Sequence, residues 1–167
     1  AADPGPGKPT DGWVEKFPGR LKASPALAHE VKARAKALGL HTFLSWGFQF
    51  DDVCELAASP FNACVGAEMG LGKSRIAVGL FLLKGGAHNL YVTEAHLVPE
   101  VVSELVKVGL PSADWQVINS RAQLAELRKI NVISYNRLRM PLTVGHKTTY
   151  AKALRRRIAC VVADEGH

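Results

Sequence analysis

Apolar residues recur along this chain in two rhythms. Short, largely apolar runs occupy residues 61–65, 90–93, 115–118, 131–135 and 158–163. They lack a polar/apolar alternation and read as strands buried on both faces. Between them, apolar residues return at helical spacing. Helices are predicted over 73–83, 99–108, 121–129 and 149–157, with Val102, Leu105 and Val106 inward on the second and Leu124, Leu127 and Ile130 inward on the third. Upstream, Ser24-Pro25 supplies an N-cap and then Pro at the first helical position. Leu27, Val31, Ala35 and Leu38 follow at helical spacing, and Gly39 closes that helix. Another helical stretch runs over 49–58. Gly85-Gly86, Gly109 with Pro111, and the loop 141–147 punctuate the rest. Strands that alternate with helices predict an α/β fold, a parallel sheet sandwiched by helices. Such sheets bind ligands at the carboxyl ends of their strands.

Composition sharpens this outline. Residues 1–23 hold four prolines and four glycines and read as a flexible arm, with Trp13, Val14 and Phe17 able to pin it to the body. Residues 24–60 form a helical N-terminal part, and 61–167 carry the strand–helix alternation. At 167 residues and 47% hydrophobic, the chain is one domain or part of a larger one. It does not begin with Met and it ends inside a motif, which predicts a fragment. The net charge of +6 permits a nucleic-acid partner, although surplus basic residues also serve solubility. Lys32, Arg34 and Lys36, and the run Arg155-Arg156-Arg157, read first as solvated faces and second as phosphate contacts. Cys54, Cys64 and Cys160 are odd in number and form no C-x-x-C, which suggests neither a disulfide framework nor a zinc site. The six histidines lack metal-ligand spacing, though His96 and His167 fall near strand ends. An intracellular setting is expected, cytoplasm or nucleoid or nucleus, with no membrane-spanning run.

The chemistry centres on Ala67-Glu68-Met69-Gly70-Leu71-Gly72-Lys73-Ser74. It lies where the strand 61–65 hands over to the helix 73–83. Backbone N–H groups and a helix N-terminus there make a concave anion site, and glycines allow close approach of phosphate. Met69, Gly70, Leu71, Gly72, Lys73, Ser74 and Arg75 would line a nucleotide, with Lys73 on its β- and γ-phosphates and the Ser74 hydroxyl on Mg²⁺. The usual pattern opens on Gly, where this chain has Ala67. The plain alternative is a glycine turn with an incidental lysine. A second site is expected at Asp164-Glu165, directly after the last strand. Asp164 would hold Mg²⁺ through water, and Glu165 would polarise the water that attacks the γ-phosphate. A pair of solvated carboxylates is the plain alternative. Gln49 offers a donor and an acceptor side by side and would suit the edge of adenine.

These words resemble a known family. Glu68-Met69-Gly70-Leu71-Gly72-Lys73-Ser74 is similar to the E-M-G-L-G-K-[TS] loop of the Snf2 (Swi2/Snf2) branch of superfamily 2 helicases, and Asp164-Glu165-Gly166-His167 to its D-E-G-H box. Between them, Thr93 to Leu105 resembles motif Ia, with Val101 where many members carry Trp, and Val132 to Leu138 resembles motif Ib. Gln49 falls where the family keeps an adenine-reading glutamine. The likeness covers about residues 42–167. It implies a P-loop NTPase of RecA-like fold, here the N-terminal part of the first lobe and an incomplete one. It also implies ATP and Mg²⁺ as cofactors, duplex DNA as the partner, and an ATP-driven translocase as the activity. The implied second RecA-like lobe supplies an arginine finger, worth roughly 10³–10⁵ in rate in nucleotide hydrolases. The chain alone is therefore expected to be nearly inactive as an ATP hydrolase. Three alternatives stand beside this one: an RNA helicase of the D-E-A-H or D-E-A-D groups, a nucleotide-dependent binding module without turnover, and a restriction-type or phage translocase on the same motor.

Overall fold

The computed structural model describes residues 24–44, 47–59, 72–145 and 147–164. The expected strand 61–65, the arm 1–23, and Met69, Gly70, Leu71 and Glu165 lie outside the described residues. Helix α1, Pro25–Ala37, begins as its sequence dictates: Ser24 Oγ accepts the Leu27 N–H at 3.2 Å, and Pro25 has no N–H to satisfy. Only one edge of the expected stripe is used. Ala35 is fully buried and Val31 packs beside it, whereas Leu27 and Leu38 are exposed. Helices α2 (Leu40–Phe43) and α3 (Gly47–Ala58) follow. Together α1 to α3 lay Ala35, Leu40, Leu44, Phe50 and Val53 against Ile76 and Leu83 of α4, Lys73–Lys84. At Gly79 of α4 a Cβ would meet Val53 at 3.3 Å, so α3 and α4 approach as closely as a missing side chain allows.

Among the described residues four parallel strands form the sheet: β1 (Asn89–Thr93), β2 (Trp115–Val117), β3 (Ile130–Ser134) and β4 (Cys160–Ala163), in the order β2-β3-β1-β4. Asn89 pairs with Ile130 on one side and with Cys160 on the other. The fold is thus α/β with an all-parallel sheet, and its strand ends lie along one edge. One face packs on α4 and on α5 (Val98–Lys107), through Ala77, Phe81, Tyr91, Val101, Leu105 and Val132. On the other face Leu90, Val92 and Ile133 meet Leu124, Leu127 and Leu154. β1 is buried at every position, as its apolar run predicts. β4 is not: Val161 is 56% exposed, and β4 ends the order of strands among the described residues.

Further helical expectations need correction. α5 buries Val101 and Leu105 but leaves Val106 59% exposed, because its sheet-facing stripe runs through Val98, Val101, Leu105 and Val108. The helix expected over 121–129 is a single 3₁₀ turn, Arg121–Leu124, followed by turns. Gln123 Oε1 accepts the Ser120 and Asn119 N–H groups, which closes the start of the turn. The helix goes no further because the Gln116 side-chain N–H₂ lies 3.1 and 3.0 Å from the Gln123 and Glu126 carbonyls, which become its acceptors. Leu124, Leu127 and Ile130 are nonetheless inward, as expected. Two short helices lie between β3 and β4. Tyr135, expected at the end of β3, begins α6 (Tyr135–Arg139), and α7 (Tyr150–Leu154) stops short of the arginine run. Among the described residues no helix is long and apolar enough to cross a membrane.

Candidate functional site

At the first turn of α4, Gly72 has φ +72°, in the left-handed region that glycine enters without strain. A Cβ at Gly72 would lie 2.4 Å from Gln49 Nε2, so the Gln49 amide rests against bare backbone at the foot of the helix. Gln49 is itself 2% exposed. Lys73 and Ser74 open α4, where helical N–H groups point out of the helix end. Next to Ser74, Arg75 Nε contacts Glu104 Oε2 of α5 at 3.3 Å, and Lys107 Nζ meets the other Glu104 oxygen at 2.8 Å. The hydrogen bond from Lys107, with Arg75 adding to it, holds the Glu104 carboxyl below its ordinary range against the upward push of burial.

Asp164 follows β4 on the same edge of the sheet. Its N–H donates to the Val92 carbonyl at 2.8 Å, which prolongs the β1–β4 ladder by one residue. Its carboxylate Oδ2 lies 2.6 Å from the Tyr91 hydroxyl, and its carbonyl accepts from the Tyr135 hydroxyl at 3.1 Å. The Tyr91 oxygen is also 3.4 Å from Ser74 Oγ. Of the residues expected to act together, the described ones therefore fall into one neighbourhood. Ser74 and Asp164 share a single tyrosine hydroxyl, Lys73 adjoins Ser74, and Gln49 backs Gly72. Arg75 turns instead toward α5 and its carboxylate. The donor set at Ser74 and Asp164 is a hydroxyl and a carboxylate, hard oxygens of the kind that suit Mg²⁺. Among the described residues no three His, Cys, Asp or Glu side chains come together to hold a metal.

Tyr91 and Tyr135 are the residues that pattern reading misses. A tyrosine inside an apolar strand reads as core, and its hydroxyl gives no signal until the strand order is known. Further along the same edge, a cleft of about 460 Å³ opens beyond β1, β2 and β3, lined by Ala95, Val98, Val102, Asn119, Ser134 and Arg137. The Arg137 guanidinium sits 5.8 Å from the centre of the Tyr150 ring, a cation–π contact. Ser134 caps α6 by accepting the Arg137 N–H at 3.2 Å, which fixes where that arginine starts.

No family model matches this chain, and neither a curated protein nor a solved structure matches it at a significant level.

Proposed function

We propose that this chain is the nucleotide-binding part of an ATP-driven motor of the Snf2 type, a P-loop NTPase that acts on duplex DNA. The observation that carries the reading is the shared hydroxyl. Ser74 of the loop helix and Asp164 of the strand end, far apart in sequence, both lie on Tyr91 Oη. The motif words pair a loop serine with a strand-end aspartate for one purpose, to hold a phosphate-bound Mg²⁺ between them. Lys73 would neutralise the β- and γ-phosphates of a bound nucleotide, and Ser74 and Asp164 would hold its Mg²⁺. Bound Mg²⁺ supplies charge neutralisation for in-line attack on the γ-phosphate. Glu165 is the proposed base for the attacking water, and Gln49, beside Gly72, is the proposed reader of adenine.

For the partner, the support is the cleft at the carboxyl edge. Arg137 there offers a cation for a phosphate, and the net charge of +6 favours a polyanion. Phosphate contacts of this kind set register and affinity without reading sequence. ATP hydrolysis measured with duplex DNA, single-stranded DNA and RNA, on the longest form of the protein, tests the whole reading. Stimulation by duplex DNA that disappears in Lys73→Ala is expected. Stimulation by RNA alone would favour an RNA helicase. Mg²⁺-dependent ATP binding with no turnover under any condition would favour a nucleotide-dependent binding module.

A further inference from the structure

Tyr91 is 1% exposed and stands between Leu90 and Val92 in a fully buried strand. Its ring meets Phe81 edge-on with centroids 6.5 Å apart, a contact a phenylalanine would make equally well. The hydroxyl is therefore what distinguishes it. A buried hydroxyl is costly unless partnered, and this one has Asp164 Oδ2 at 2.6 Å and Ser74 Oγ at 3.4 Å. Tyrosine owns one proton. An ionised carboxylate only accepts, so the proton lies toward Asp164. The serine contact then has its polarity fixed, with the Ser74 O–H donating and Tyr91 Oη accepting.

We infer that Tyr91 is a positioning residue for the cation that Ser74 and Asp164 hold, ordering both ligands through the chain Ser74 Oγ–H to Tyr91 Oη–H to Asp164 Oδ2. By accepting the hydrogen bond of the Ser74 O–H, Tyr91 leaves the Ser74 lone pairs for a metal. By donating to Oδ2, it fixes the carboxylate rotamer, so that Oδ1 would be the oxygen that serves the cation. It does so before any ion arrives, which removes an ordering cost from binding. The inference rests on the proposed nucleotide site. A hydroxyl that merely ties β1 to its neighbours would change stability and leave the metal requirement alone.

The test is equilibrium binding of a fluorescent ATP analogue to the whole chain across a Mg²⁺ titration, with wild type, Tyr91→Phe, Ser74→Ala and the double variant. Tyr91→Phe should raise the half-saturating Mg²⁺ concentration about tenfold, the low end for loss of a second-layer partner. Binding in EDTA should be unchanged, and the double variant should need little more Mg²⁺ than Ser74→Ala. An unmoved Mg²⁺ midpoint in Tyr91→Phe, with wild type clearly Mg²⁺-dependent, overturns the inference and leaves the nucleotide reading standing. No Mg²⁺-dependent binding in wild type overturns both. Should Tyr91→Phe fail to fold, 3-fluorotyrosine in the wild-type chain gives three ¹⁹F resonances, assigned with Tyr135→Phe and Tyr150→Phe. The Tyr91 resonance should move when Mg²⁺ is added to the nucleotide-bound protein. A resonance that stays in place counts against the inference.

Discussion

Gly72 combines a left-handed backbone with a neighbour too close for any side chain, since Gln49 Nε2 would sit 2.4 Å from its Cβ. Gly72→Ala must therefore strain φ and push Gln49 aside. We expect a loss of about 2 kcal/mol in urea unfolding, from left-handed strain of about 1–2 kcal/mol plus the displaced amide, with weaker nucleotide binding as a second effect. Glu104 makes a different prediction. Its carboxyl is held down by Lys107 first and Arg75 second, so the folded state binds the proton less readily than the unfolded chain. The stability this contributes is present above the ordinary value of 4.5 and is lost as pH falls through the lowered one. Glu104→Gln should be less stable than wild type near neutral pH by under about 1 kcal/mol, a partly exposed pair being screened. The gap in urea midpoint should narrow as the pH is taken toward about 3. At this scale Gly72, Lys73, Ser74 and Asp164 are legible because spacing around a helix start and a strand end marks them. Tyr91 is not, because its partners come from two other elements.

Elements follow local chemistry until a side chain from elsewhere takes their backbone. The N-caps Ser24, Ser120, Ser134 and Thr149 all lie at helix or turn starts, where residue type alone predicts them or readily explains them. Ser134→Ala should cost about 1 kcal/mol, the usual worth of a cap. It should also loosen Arg137, which thermal unfolding and the DNA dependence of ATP hydrolysis would register separately. The stretch 121–129 shows where local reasoning stops. Its leucines have helical spacing, yet Gln116 from β2 claims two of the carbonyls that would carry the helix on. α5 is a milder case. A helix carrying Val98, Val101, Val102, Leu105, Val106 and Val108 has more apolar faces than it can bury, and only docking on the sheet chooses among them.

For the whole molecule, strand and helix alternation suffices for the class, an α/β fold with a parallel sheet, but not for the order. Nothing in the apolar run of β4 says that, after β3, the chain crosses β1 to lie on the side of β1 away from β3. That placement is what gives Asp164 its tyrosine. Lys73→Ala should abolish ATP hydrolysis while leaving far-UV circular dichroism and the unfolding midpoint nearly unchanged, since Lys73 stands at a helix start and not in the core. The position of β1 also governs when the site can exist. β1 is paired with β3 through Ile130–Ser134 and with β4 through Cys160–Ala163, so one of its edges waits for β4 to be made. On the ribosome, β1, β2 and β3 can associate while β4 is still in the exit tunnel, and Tyr91 then has no carboxylate to meet. The candidate site consequently forms only once β4 has joined β1. Chains stalled before β4 emerges should digest faster at β1 than released chains under limited proteolysis, and should show no Mg²⁺-dependent hold on nucleotide.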